Sequence, residues 1–431
     1  MAFTPDAALN MDSFNAALKE HYHGLRIKDL VYKNNPLLAL MPKYERFGGK
    51  YMPVPLKYGN PQGRSAAFDK AQGNTSATTS LDAFQISHVR DYCIARIDAL
   101  TIDAARGDAD AFVRAATIEI DSAISSLSNT IAFDIYRNGS GARGRLAADP
   151  LAGQTFTLAT TADVVNFEVG MSLVFADPFT DSDTIVKPNA LRSATPVVIS
   201  GINRDTGVVT FTGSIAAGVD SGDFVFVEGD YTAQGDTLKL DGLEAWVPQP
   251  LIDLSTSFNN VTRNADATRL GGQRFDGSSS TVRESILDAA ARVAREGGSP
   301  DHCFMSFENY VALEKELMPS NAASNTAVTA FSYDVKTGAT TGTYGFTGLQ
   351  VQGPAGPIKV VADKNCQSDL AWLLQMDTWT LNSAGSAPKI LDHDGNRLLR
   401  VSDNDQIEIR IGFYGNVSCS APGWNCRIAL S

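Results

Sequence analysis

Between residues 48 and 58 the chain reads Gly-Gly-Lys-Tyr-Met-Pro-Val-Pro-Leu-Lys-Tyr, so Met52, Val54, Leu56 and Tyr58 alternate on one face of an extended segment. Prolines take the opposite face. Pro53 and Pro55 cannot donate to a ladder, which places this strand on a sheet edge or in a free-standing arm. After a stretch rich in Gly, Asn and Ser (59–79) the chain returns through Phe84, Ile86 and His88 and continues into Tyr92, Ile94 and Arg96, making one long hairpin. At about 3.3 Å per residue, 48–62 reach roughly 45 Å, against a radius of gyration of about 22 Å for a compact chain of this length. A lone two-stranded hairpin is marginal in water. The expectation is therefore an arm stabilised by lying on another subunit.

Downstream the period changes to helical. Phe112, Ala116, Ile120, Ile124, Leu127, Ile131 and Ile135 recur every three or four residues, with Asp108 or Asp110 at the start and Arg137 in the last turn. This predicts a helix over 110–137, a rod of about 45 Å, ended by Asn138-Gly139. Upstream, 13–22 carries Phe14, Ala17, Leu18 and His21 at helical spacing, and Asn35-Pro36 reads as the cap and first residue of a short helix 36–41 closed by Pro42. Residues 150–247 are rich in Val, Thr, Phe, Gly and Asp, with strands expected at 155–158, 172–175, 197–202, 208–211 and 224–227 and hairpin chemistry at Asp205-Thr206-Gly207. Such spacing predicts a small antiparallel barrel inserted between neighbouring elements. Thr281 and Glu284 have capping-box spacing for a helix carrying Ile286, Ala289, Ala290 and Val293 and stopped by Gly297-Gly298. A strand 302–305, a Ser306-capped helix 307–317, a long loop 320–348 and strands at 349–352, 358–361, 372–375, 398–401 and 407–413 follow, with Cys426, Ile428 and Leu430 as a last alternating stretch.

The 431 residues, 43% apolar and 19% charged, are enough for two to four folded units. Lys and Arg number 36 against 48 Asp and Glu, a net charge of -12, which argues against gripping nucleic acid by phosphate neutralisation. No apolar run reaches the roughly 18 residues of a membrane span, and Asp6, Asp12 and Glu20 stand where a signal peptide needs basic and then apolar residues. A soluble, non-exported protein is expected. The five cysteines are odd in number and lack a C-x-x-C pair, as buried thiols in a reducing compartment would be. The four N-x-S/T triplets are read as chance.

In this order the parts resemble the major capsid proteins of tailed phages, built on the Hong Kong 97-type fold. The residues carrying the resemblance are Asn35-Pro36-Leu37-Leu38, the extended loop 48–91, the spine-like helix 110–137, Cys303-Phe304-Met305-Ser306-Phe307-Glu308-Asn309-Tyr310, and Ile407-Glu408-Ile409-Arg410-Ile411-Gly412-Phe413-Tyr414. The resemblance implies an α+β capsid fold with an N-terminal arm (1–46), an extended loop (47–92) and a peripheral domain (93–149, completed by about 387–415). It also implies an inserted β domain (150–247), an axial domain (248–386) and a C-terminal strand (416–431). It implies a homo-oligomer of pentamers and hexamers in an icosahedral shell, located in the virion and assembled in the host cytoplasm. Such a shell encloses double-stranded DNA without sequence-specific binding, and scaffolding, portal and decoration proteins are separate chains. The expected intersubunit contacts are Tyr51, Met52, Val54, Leu56, Lys57, Tyr58, Arg64, Phe68 and Lys70, and the expected spine core is Phe112, Ile120, Ile124, Leu127 and Ile131. One relative joins a loop Lys to a neighbour's Asn with a Glu as base. Lys57 and Lys70 sit in the loop here, but no Asn or Glu matches a motif.

No catalytic, cofactor or metal residue is assigned. Gly139-Ser140-Gly141-Ala142-Arg143-Gly144 has the letters of a dinucleotide loop but follows a helix instead of a strand. Around Gly49-Lys50, Tyr44 and Tyr51 break the P-loop pattern. His21 and His23 lack further metal ligands, and Asp392-His393-Asp394-Gly395-Asn396 has its Gly misplaced for a calcium loop and reads as a turn. Asp177, Asp181 and Asp183 are the best hard-cation candidates, and Arg106-Gly107-Asp108 is read as chance before a helix. Two rival functions stand beside the phage shell: an encapsulin-like compartment and a β-rich glycan-binding or adhesive protein.

Overall fold

A computed structural model describes residues 35–75, 78–99, 109–150, 154–180, 186–192, 195–215, 218–231, 238–249, 254, 257–317, 349–392, 395, 397–401 and 404–430, with backbone only at 109–118, 178–180 and 186–189. It is a mixed α+β protein with several sheets and few helices. Contacts divide the chain into one unit of Met1–Gly272 with Met376–Gly423 and another of Gln273–Gln375 with Trp424–Ser431. These divisions fall at 272, 375 and 423, whereas the resemblance implies module boundaries near 247, 386 and 415.

In the first unit the strand Gln406–Cys419 organises a six-stranded sheet. It runs antiparallel to Val89–Asp98 from Gln406↔Asp98 to Gly415↔Val89, and to Trp379–Ser383, Lys389–Ile390 and Leu399–Arg400. Lys43–Tyr44 adds a parallel edge on Trp379–Ser383. The alternation of Ile409, Ile411 and Phe413 buries all three, together with Ala95 and Ile97. The long helix Ala109–Asp134 packs against the two long strands. Leu127 and Ile131 are buried, Ile120 and Ile124 half-buried, and the Phe112 side chain lies outside the described residues. The helix stops three residues short of the expected 137. Tyr136 and Arg137 N–H groups bond three residues back, to Phe133 and Asp134, and Gly139 takes the left-handed turn at φ +84°.

The short helix Pro36–Leu40 has its proline at the first turn, as expected. Asn35 does not cap it through its side chain. Instead its amide donates to the Asn129 side chain at 3.0 Å, tying this segment to the long helix.

Residues 144–227 form a seven-stranded antiparallel sheet with main order Gly144–Arg145, Phe224–Val227, Ser172–Thr180, Val197–Asn203, Val208–Thr212, Thr155–Thr157. Val186–Leu191 pairs outside this path with Ser172–Thr180. The first and last strands meet through a Leu146↔Leu158 bridge and the bonds Ala147 N–H to Thr157 O (2.9 Å) and Ala159 N–H to Arg145 O (2.8 Å). Phe156, Phe167, Phe175 and Phe211 fill the space between, Phe156 lying 5.7 Å from Phe175 and 6.0 Å from Phe211. Gly207 at φ +69° makes the expected hairpin turn, where Asn203 Oδ1 also accepts from the Asp205 and Thr206 N–H groups.

In the second unit a mixed sheet is ordered Gln273–Asp276, Cys426–Ala429, Leu370–Leu374, His302–Met305, Pro357–Ala362, Leu349–Gln352. The Thr281/Glu284 capping box forms and opens the helix Val282–Arg295, whose Ile286, Ala289, Ala290 and Val293 enter a core with Cys303, Met305, Leu373 and Ile428. Ser306 Oγ accepts from the Asn309 N–H at the start of Phe307–Leu317. Leu370–Leu374 is buried on both faces, which is why it reads as a continuous apolar run. The 320–348 loop lies outside the described residues, and among those described no helix is long and apolar enough to cross a membrane.

Candidate assembly surface

The hairpin forms over Tyr51–Gly59 and Ser80–Ser87, but Tyr92, Ile94 and Arg96, expected to continue it, belong instead to the strand Val89–Asp98 that pairs with Gln406–Cys419. Tyr51–Gly59 pairs antiparallel with Ser80–Ser87, with Pro53 opposite Gln85 and Pro55 opposite Ala83. Met52, Val54, Leu56 and Tyr58 are half-buried, whereas Tyr51, Pro53, Pro55 and Lys57 are exposed. Nine residues of strand extend about 30 Å, less than the reach expected from sequence.

The paired strands do not stand free of their own chain, which corrects the expectation of an arm supported only by a neighbour. Phe84 and Ile86, on the returning strand, have no exposed surface. Phe84 lies edge-on to Trp246 at 4.8 Å and to Phe258 at 6.2 Å. The Gln85 N–H donates to Asn259 O, and Arg269 Nη1 donates to Tyr58 O, both at 2.8 Å. Burial of these two large apolar side chains contributes about 1.5–3 kcal/mol each toward holding the ribbon on its own chain.

Beyond these contacts the environment reverses. The connection carries a short helix, Phe68–Gly73, with no side-chain cap. Phe68 is 83% and Leu81 69% exposed. Arg64, Asp69 and Lys70 are exposed too, and Lys57, Arg64 and Lys70 form no ion pair with any described residue. Of the loop residues singled out by sequence, Phe68, Arg64 and Lys70 thus gather at the tip, and the alternating strand residues lie along the ribbon.

What fixes the ribbon's root is a set of polar residues that the hydrophobic pattern does not reveal. His88 stacks on Phe47 at 3.6 Å and its Nε2 lies 3.1 Å from Gly49 O. Asn416, on the long closing strand, donates to Ser87 O (3.1 Å) and to Asp241 Oδ2 (3.0 Å), and its Oδ1 accepts from the Asp241 N–H. Just past the hairpin, Asp91 pairs at 3.0 Å with the buried Lys239, which also meets Asp230 at 3.1 Å. Burial pulls the Lys239 ammonium down, but Asp134, Asp91 and Asp230 together hold it above its ordinary value. Burial pushes the Asp134 carboxyl up to about 7 against the opposing pull of Lys239 and Arg143. Gly242 completes the arrangement. An added Cβ would strike the carbonyl oxygens of Asp134, Ile135 and Arg137 at the end of the long helix, where the Leu243 N–H bonds Ile135 O at 2.6 Å.

The remaining motifs resolve into structure. In the 139–144 stretch Gly141 takes φ +85° against the Asp230 carbonyl, and the chain enters a strand at Gly144 instead of a helix. Asp177 pairs with Arg192 at 2.9 Å, and Arg192 also binds Asp223 at 3.1 Å. Asp181, Asp183, Arg106-Gly107-Asp108, His21 and His23 lie outside the described residues, as do His393, Asp394 and Asn396. Among the described residues no three His, Cys, Asp or Glu side chains gather as a metal-ligand set.

No protein-family model matches the chain, and no curated protein matches it. Among solved structures it is similar to the cyanophage A-1(L) capsid asymmetric unit, with 12% identity over 94% of this chain and 96% of that one and a TM-score of 0.47. It is also similar to a structure from Mycobacterium phage Adephagia (11% identity, 99% of each chain, TM-score 0.42) and to the capsid of an empty GTA particle (10% identity, 100% of each chain, TM-score 0.43).

Proposed function

We propose that this chain is the major capsid protein of a tailed double-stranded DNA phage, in which copies of itself form the pentamers and hexamers of an icosahedral shell. The observation that carries this reading is the hairpin tip, where Phe68 and Leu81 are held in water at the end of a ribbon whose root is fixed on its own chain. No described residue covers these apolar side chains, and exposed apolar surface of this kind marks a contact with another molecule. The order of elements supports the same reading: extended loop, long helix beneath a sheet, and a strand-helix unit. We read 144–227 as the inserted β-barrel and the second unit as the core of the axial domain. The work is mechanical instead of catalytic, and heterologous contacts between identical chains close by symmetry. A net charge of -12 keeps the wall from trapping the polyanionic genome during filling. Scaffolding, portal and decoration proteins are separate partners, and the shell is assembled in the host cytoplasm.

Negative-stain microscopy of the expressed chain tests this directly, with closed shells as the expected result. Removal of residues 60–76 is expected to leave folded subunits or capsomers without closed shells. Unchanged particles would overturn the role given to the tip. Nuclease-protected DNA in purified particles distinguishes the phage shell from a cargo compartment, which would hold protein without DNA. A monodisperse monomer that binds glycans would replace both readings.

A further inference from the structure

In the second unit's sheet three hydrogen-bond donors stand in one row across neighbouring strands. Arg274 pairs in register with Arg427, and Arg427 with Trp372, so all three side chains share one face. Arg427 is only 7% exposed, and its Nε has no partner. It forms no ion pair with any described residue. Trp372 has no exposed surface, and its indole N–H is likewise without an acceptor. Arg274 is half-buried beside them, with its guanidinium held below the ordinary range by burial first and then by the charge of Arg427. The carboxylate on the same face, Asp276, is exposed and accepts from the Ser278 N–H at 3.1 Å. Arg292, on the helix that covers the opposite face, lies over the Phe275 ring and donates only to the Arg274 backbone O at 3.1 Å, so it is not part of this row.

A buried guanidinium left without a counter-charge is strongly destabilising. Its planar fork is suited to two oxygens of one anion. We propose that this row is an oxyanion site, in which Arg427 and the Trp372 N–H hold a carboxylate- or phosphate-type group with Arg274 beside them. Two sources have this chemistry: a free inorganic ion, or an Asp or Glu carboxylate from a second copy of the chain. The site stands on the residues of this unit, and only the choice between the two sources rests on the shell reading.

The test titrates inorganic phosphate into the full chain, dispersed and then as closed particles, at constant ionic strength set with chloride, reading heat and thermal midpoint. The dispersed wild type is expected to show saturable binding with a rising midpoint. Arg427→Gln is expected to weaken it at least about tenfold, as loss of a bond to a charged group does. Trp372→Phe preserves the ring packing while removing the donor, and it is expected to weaken binding by a smaller factor, which keeps the test decisive if Arg427→Gln folds poorly. Binding that persists in closed particles assigns the free ion. Binding that disappears on closure assigns the carboxylate of a second copy. No saturable response in either form, or an unchanged response in both variants, would overturn the site.

Discussion

At the root of the hairpin Phe84 and Ile86 have no exposed surface, whereas Phe68 and Leu81, farther along the same loop, are 83% and 69% exposed. The root is held by aromatic edges from Trp246 and Phe258, by bonds from Asn416 and Arg269, and by the Lys239–Asp91 ion pair. The described residues of the tip have local turns and a short helix. One ribbon therefore contains a part whose conformation is over-determined by its own chain and a part whose side chains, among the described residues, have little to bury against. Stability and association can then be altered separately, and mutations that move one and not the other are the measure of that separation.

The largest effect on folding is expected at the root. Phe84→Ala removes a ring packed between Trp246 and Phe258, and a loss of about 3–5 kcal/mol is expected from the cavity and the lost transfer energy. Chemical denaturation of the unassembled protein measures it, and a loss below about 1 kcal/mol would break the contrast. Gly242→Ala comes next. Its new methyl group meets three carbonyl oxygens at the end of the long helix, and overpacking of this kind costs about 1–3 kcal/mol or more. The same denaturation experiment checks it, and an unchanged midpoint would show that the helix end can give way.

A smaller and pH-dependent effect is expected at Asp134. A carboxyl whose native pKa lies near 7 instead of at 3.8 binds its proton more tightly folded than unfolded. Its contribution to stability therefore falls as pH rises from about 4 to about 7 and is level above that. Asp134→Asn removes this penalty and leaves Lys239 with Asp91 and Asp230 as partners. The variant is expected to match the wild type near pH 4 and to exceed it in thermal midpoint by a few degrees at pH 8, at roughly 2–4 °C per kcal/mol. A difference that is flat or shrinks with rising pH would show that Asp134 is ionised in the folded protein throughout.

Those residues also mark where sequence reading stops. Period-two alternation located the hairpin, the Gln406–Cys419 strand and five strands of the 144–227 sheet, and Thr281 with Glu284 located a helix start, because each of these depends on neighbours close in sequence. Lys239 follows the opposite logic. Alternation between Leu238 and Leu240 points it to water, yet Lys239 is buried and Leu238 is 42% exposed. Its partners Asp91 and Asp134 come from distant segments, so no local spacing can announce them. Val186–Leu191, reading Val-Lys-Pro-Asn-Ala-Leu, has too little apolar character to register as a strand and is recruited by pairing with Ser172–Thr180. Nothing in the sequence singles out Leu81, and at the tip only the loop position of Arg64, Phe68 and Lys70 was legible. The burial of the root was not, since it depends on Trp246 and Phe258, which lie more than a hundred residues farther along the chain.

The smallest effect on stability, and the sharpest test of the contrast, is expected at the tip. Phe68→Ser and Leu81→Ser replace side chains that bury little against their own chain, so each is expected to change folding stability within about 0.5 kcal/mol, as surface substitutions do. Assembly is expected to respond very differently. Two apolar groups repeated in every subunit would each lose on the order of 1.5–3 kcal/mol of burial on association, a loss multiplied over every contact in a closed shell. Light scattering and microscopy under assembling conditions should then show few or no particles from a protein whose denaturation midpoint is that of the wild type. If instead either variant lowers the midpoint by more than about 1 kcal/mol, the tip is packing on its own subunit and the division between a folding root and an associating tip fails. If the midpoint and the particles are both unchanged, the contacts that close the shell lie elsewhere on the molecule.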